Sequence, residues 1–263
     1  MSDLDFGPKS NALFHFTSRM DYLQSILQTG FQPRYSLEYW PWFNDGYFVS
    51  HAMTCFCDIP LTRISVHTTA YGRFGLGMSR SWIRENKIQP LTYCPENSVG
   101  FKALQTVIEQ LNISSSNAGK EAAWNLCRLY KLDRGPMFSS TGKLMEKDFT
   151  QESEWRFVPN SEKYFMGKNK HKHPKKLSKT ITERLISENK KHTGKFNDEQ
   201  LANTLNFGID DIKYIFVSTN KQIGKMVKFI SELDSLSGAS VNVNQRSLLL
   251  TKLTSLDSIQ RDY

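Results

Sequence analysis

The sequence predicts an α+β fold built around a mixed β-sheet. Three observations lead there. Short β-rich runs such as "LFHFT" and "IKYIFV" recur along the chain, helix-patterned stretches interrupt them irregularly, and no internal repeat relates them. Of 263 residues, 39% are hydrophobic and 12% aromatic, which suffices for a buried core in one large domain or two small ones.

"LFHFT" is the first predicted strand. Thr17 or Ser18 is placed to cap a following helix, whose apolar residues Met20, Leu23, Ile26 and Leu27 recur at helical spacing before Gly30 stops it. "EYWPWFNDGYFVS" reads as aromatic loop with an Asn-Asp-Gly turn. "MTCFCDIPL" is a second strand ended by Pro60, and "LTRISVHTTAYG" a short helix leading into the strand "RFGLGMS". "SRSWIRENKIQPLTYC" reads as a capped helix and then a strand at Leu91 to Cys94. "FKALQTVIEQL" and "EAAWNLCRLYKL" are helical on either side of a loose linker, "GPMFSSTGKLMEKDF" is a loop, and "SEWRFVP" is a strand. "FGIDDIKYIFVS" gives a late strand with Ile212, Tyr214 and Phe216 on one face, and "NKQIGKMVKFISEL" an amphipathic helix. This organisation assigns residues 1–235 to one domain. Residues 236–263 become a polar tail with one helix, "RSLLLTKLTSLDSI", available to a partner.

Composition excludes several classes. No apolar run approaches the roughly 18 residues of a membrane-spanning helix, and "MSDLDFGPKS" lacks the apolar centre of a signal peptide, so the expected location is cytoplasmic. Cys55 and Cys57 form a C-x-C pair too tight for an ordinary zinc site, so "MTCFCDIP" reads as buried strand and no metal is expected. The net charge of +8 is concentrated: between Lys163 and Lys195, eleven Lys and Arg against two Glu leave +9, and the rest of the chain −1. Lys168, Lys170, Lys172, Lys175 and Lys176 of this insertion are candidates for contacting RNA or DNA phosphates. A solvated surface insertion is the alternative.

Candidate site residues lie on three predicted strands. His15 sits in "LFHFT" with Leu13 and Thr17 on its face. Tyr71 opens "YGRFGLGMS", where the period of two puts Arg73, Gly75 and Gly77 on one face. Glycine weakens a strand, and close approach of a ligand or of another backbone is a reason to keep it there. In "TQESEWRFVP", Glu152, Glu154 and Arg156 share one face and Ser153, Trp155 and Phe157 the other. That pattern fits a half-buried strand with its polar face in water, or a catalytic strand end.

Taken in order, "LFHFTS", "CFCDIPL", "YGRFGLGMSRSW", "ESEWRFVP" and "IKYIFVS" resemble the AbiGi family of phage abortive-infection proteins over most of residues 12–230. That family is similar to the ADP-ribosyltransferase superfamily. The resemblance implies a single domain with a mixed, split sheet of ADP-ribosyltransferase type and NAD as cofactor. Glu154 would then stabilise an oxocarbenium-like transition state, and Glu152 would orient or deprotonate an acceptor. His15, with Thr17, would hold the adenosine ribose. Tyr71 would stack on nicotinamide in the room left by Gly75, and Arg34 or Arg73 would meet the pyrophosphate. The same site without an acceptor would hydrolyse NAD. The family is also described as the antitoxin half of a pair, which implies a cognate toxin or antitoxin protein as partner and a binding role without catalysis.

Overall fold

The computed structural model describes residues 10–42, 46–113, 116–138, 143–159, 165–166, 183, 186–187 and 203–262. It is a mixed α/β structure of two compact units. The first comprises Met1–Gln32, Cys55–Gln89 and Asn203–Tyr263; the second comprises Pro33–Thr54 and Pro90–Ala202. The strands are β1 (Ala12–Thr17), β2 (Arg34–Trp40), β3 (Tyr47–Cys57), β4 (Phe74–Ser79), β5 (Gln89–Pro90), β6 (Thr92–Cys94), β7 (Tyr130–Leu132), β8 (Arg134–Phe138), β9 (Leu144–Asp148), β10 (Glu154–Phe157), β11 (Phe165–Met166), β12 (Ile212–Val217), β13 (Ser235–Leu236), β14 (Ala239–Ser240) and β15 (Leu253–Ser255). The helices are α1 (Met20–Thr29), α2 (Ile64–Tyr71), α3 (Arg80–Glu85), α4 (Val99–Ile113), α5 (Asn117–Leu129), α6 (Asn220–Ser231), α7 (Val243–Leu250) and α8 (Leu256–Asp262).

In the first unit β4 lies between β1 and β12, antiparallel to both, and β15 adds to β12 in parallel, so this sheet is mixed. The register pairs Phe14 with Gly77, His15 with Leu76 and Phe16 with Gly75. One face therefore carries Phe14, Phe16, Tyr214 and Phe216 over the two glycines, closed by Ile64 of α2 and Leu256 of α8. The other carries Leu13, His15 and Leu76 beneath Phe31, Phe56, Trp82 and Phe207, and neighbouring rings among these four and His15 lie 5.1 to 6.4 Å apart. Interlocking aromatic rings at such distances add directional attraction to the area they bury. A register shift between Ile212 and Tyr214 puts Ile212 opposite Met78, so it leaves the face predicted for it and joins the other one.

Three expectations change here. Thr17 stays paired with Phe74 in β1, so α1 starts from Arg19 without a side-chain cap, and Asp21 supplies the acid its first turn favours. Tyr71 is the last residue of α2 and not the first of the glycine strand. Gly72 separates them at φ 114°, and a Cβ there would collide with the Thr17 carbonyl. Residues 236–263 are not a tail on a domain ending at 235: β15 pairs with β12, and Leu236, Leu249 and Leu256 are buried in the first unit. The single helix expected there is two, α7 and α8, separated by β15.

In the second unit β2 and β3 form a seven-pair antiparallel ladder from Arg34↔Met53 to Trp40↔Tyr47. The stretch read as aromatic loop is this hairpin, because Tyr, Trp and Phe pair well across strands. Trp40, Trp42, Tyr47 and Val49 pack on Phe101, Leu104 and Ile108 of α4 and Ala123 and Cys127 of α5. Burial pushes the Cys127 thiol up to about 12. β6 pairs in parallel with β7, and β8 with β9 makes a hairpin where the sequence predicted loop.

Candidate functional site

The densest polar chemistry lies within the second unit, and it is built from both predicted and unpredicted residues. β10 presents Glu154 and Arg156 on one face, as the period of two requires, but that face points inward: Glu154 is 5% exposed and Arg156 fully buried. Trp155 and Phe157, the opposite face, are half-buried. This reverses the expectation of a polar face in water. Just before β10, residues Thr150–Glu152 form a 3-10 turn, and Ser153 adopts the left-handed conformation at φ 43° and ψ 50°. Glu152 therefore leaves the strand, yet is 5% exposed.

Every carboxylate oxygen of the centre meets a donor. Arg156 donates through Nε (3.0 Å) and Nη2 (2.8 Å) to Glu154 Oε1, and through Nη1 (2.9 Å) and Nη2 (2.7 Å) to the two oxygens of Glu38 on β2. Lys131 on β7 places its ammonium 2.8 Å from Glu154 Oε2, 3.4 Å from Glu152 Oε2 and 3.3 Å from Glu38 Oε1. It also lies 4.4 Å from the Phe149 ring centre, a cation–π contact. Lys147 on β9 pairs with Glu152 Oε1 at 2.5 Å. His51 Nε2 donates to Glu38 Oε2 at 3.1 Å. Three carboxylates thus balance Lys131, Lys147 and Arg156. Arg156 Nη1 also donates to the Arg128 carbonyl, and Arg128 itself donates to the Pro159 carbonyl and to Asn125.

Burial and charge compete at each group. Burial favours neutral Glu38, but Arg156, Lys131 and His51 outweigh it and hold the carboxyl well below its usual range. Burial likewise opposes the Lys131 ammonium, and Glu154, Glu38 and Glu152 outweigh it and raise its pKa well above normal. His51 is the exception: desolvation dominates and lowers it to about 4, so the ring is neutral near pH 7. Desolvation also raises the Tyr93 phenol, whose oxygen accepts the Glu154 N–H at 2.9 Å. So arranged, the centre holds charged groups in fixed positions.

The other predicted residues lie elsewhere. In the first unit His15 bonds the Cys55 carbonyl through Nδ1 at 2.8 Å and packs on Phe31 and Phe56. Thr17 shares its face at the end of β1. Tyr71 packs against the opposite face, its ring 4.5 Å from His67. A Cβ at Gly75 would strike the His15 carbonyl and lie 2.8 Å from Phe16 Cδ1, so the room beside the glycines is filled by this unit's own aromatic rings. His15 and Tyr71 therefore lie on opposite faces of the first unit's sheet, with Gly75 packed against the His15 backbone and the Phe16 ring. Arg73 is tied to Ser218 Oγ at 2.8 Å and to Asp257 at 3.2 Å. Arg34 is exposed at the start of β2, in the second unit with Glu152 and Glu154. Lys168, Lys170, Lys172, Lys175 and Lys176 lie outside the described residues. Among the described residues no group of His, Cys, Asp or Glu has the arrangement of a metal site. Glu38, His51, Tyr93, Lys131 and Lys147 were not legible as site residues. Their one signal is a charged or polar residue set in an apolar run, as in "SLEYW" and "RLYKL".

A family model described as abortive phage resistance protein AbiGi, antitoxin, matches residues 30–218. The chain belongs to the AbiGi family. The matched span contains the whole charged centre, from Glu38 to Arg156, and begins after His15 and Thr17. The chain is also 28% identical over 233 residues to the abortive phage resistance protein AbiGi of Lactococcus lactis subsp. cremoris, covering 80% of this chain and 88% of that protein. No solved structure matches. No helix among the described residues is long and apolar enough to cross a membrane.

Proposed function

We propose that this protein serves anti-phage abortive infection as an antitoxin that binds a cognate toxin protein, without chemistry of its own. One observation carries the reading: Glu154 and Glu152, the residues best suited to catalysis by type, are buried in a charge-balanced centre whose six carboxylate oxygens are all engaged. Such a centre costs desolvation and returns a defined arrangement of the strands that carry it, which suits a binding scaffold. The antitoxin description of the matching family supports the same role. Co-expression with the protein encoded beside it tests the proposal. A stoichiometric complex that relieves growth arrest is expected. No complex, or relief of arrest that consumes NAD, overturns it.

A second reading, NAD-dependent ADP-ribosyl transfer or NAD hydrolysis on an ADP-ribosyltransferase-type fold, is favoured by Ser153. A non-glycine residue held at φ 43° between Glu152 and Glu154 stores strain of the kind found at functional sites. Labelled NAD incubated with the protein and RNA, DNA or lysate separates the two. Label on a macromolecule, lost with Glu154→Gln, establishes transfer, and free ADP-ribose alone establishes hydrolysis.

A further inference from the structure

α6 turns Met226 and Ile230 into the first unit, and its outer face carries Lys221, Lys225 and Lys228. At 100° per residue these three fall within about 60° of arc, a single basic stripe. Asn220–Ser231 contains no acid, although its first turn, where Lys221 sits, is where the helix dipole favours one; the exposed C-cap Glu232 follows Lys228 by one turn at the end of the stripe. None of the three lysines enters an ion pair among the described residues, unlike Lys131 and Lys147. Gly224 lies beside this stripe, about 40° beyond Lys228, and a Cβ there would meet nothing within 4 Å. Glycine weakens a helix interior, and here it leaves a low point next to the lysines. The helix itself needs neither Lys221 nor Gly224. Beside its start, the half-exposed Arg73 guanidinium is held on Ser218, with Asp257 as partner.

We infer that this face of α6 binds the sugar–phosphate backbone of a nucleic-acid strand. Lysines act as point charges without the planar fork that reads base edges, so the contact is to phosphate. Lys221 to Lys228 spans about 10 Å of helix, the axial length of about three phosphates of one strand. Phe229, one turn after Lys225, is half-buried on the flank of the stripe, so the exposed arc itself presents charge and not the aromatic anchor on which protein interfaces depend. This surface is independent of the charged centre and of the antitoxin reading.

The test uses the full chain and a fluorescein-labelled 20-nucleotide single-stranded RNA of mixed sequence, followed by anisotropy across a potassium chloride series. Replacing Lys221, Lys225 and Lys228 together by Gln should weaken binding at least tenfold at low salt and reduce the slope of log K against log salt by about 2. Lys225→Gln alone should take about a third of that, and both variants should keep the wild-type circular dichroism. A second variant, with Lys168, Lys170, Lys172, Lys175 and Lys176 replaced by Gln, should retain the α6 contribution. Three results overturn the inference: no RNA binding by the wild type, an unchanged slope in the triple α6 variant, or displacement of RNA from this face by poly-glutamate at equal charge concentration.

Discussion

Replacing Arg156 by Met is the most direct test of the charged centre. Met preserves much of the length and apolar stem of Arg but removes five hydrogen bonds, four of them to the carboxylates of Glu38 and Glu154. Glu154 Oε1 then loses its two hydrogen bonds from Arg156, and the centre holds three carboxylates against two lysines. Removing one partner of a buried ion pair costs about 3–5 kcal/mol, because the remaining charge stays buried and uncompensated. That is a large share of the roughly 5–15 kcal/mol that stabilises a domain. Adding Glu154→Gln restores the balance, so the double variant should be less unstable than the sum of the two singles by about 0.5–3 kcal/mol. Urea unfolding followed by tryptophan fluorescence reads this well, since Trp40, Trp42, Trp124 and Trp155 lie in the second unit and only Trp82 in the first. A loss below about 1 kcal/mol with an unchanged urea slope would refute the reasoning, because that is the scale of a solvated surface pair.

Acid should weaken the fold in two ways. His51, near 4 when folded against about 6.5 free, is charged by the unfolded chain first, so stability falls at up to about 1.4 kcal/mol per pH unit between about pH 6.5 and 4. Glu38, held low in the fold, keeps its contribution above its unfolded pKa and loses it as pH falls through the folded value; His51→Gln should flatten only the upper part of the urea-midpoint curve against pH. Gly75→Ala should destabilise the first unit by about 1–3 kcal/mol, since its Cβ meets the His15 backbone, whereas Gly224→Ala should stabilise by about 0.4–1 kcal/mol; thermal melts decide both. Truncation after Ser237 should unfold the first unit, read as solvent exposure of Trp82, because it removes β15 and the buried Leu249 and Leu256.

Elements with strong local periodicity were legible: β1, β4 and β12 by their β-rich runs, and α1, α4, α5 and α6 by apolar residues recurring along one face. The β2–β3 and β8–β9 hairpins were missed because aromatic and mixed stretches suit loop and strand alike until a partner strand is present. Tyr71 was misplaced because one glycine, Gly72, separates helix from strand. At the candidate site, alternation correctly put Glu154 and Arg156 on one face and could not say which face is inside. That depends on Lys131, 23 residues from Glu154, and on Glu38, 118 residues from Arg156. Residue type and period are local properties and are written in the chain directly. Which charges are buried, and which oxygens they engage, is a property of distant residues brought together, and only packing supplies it.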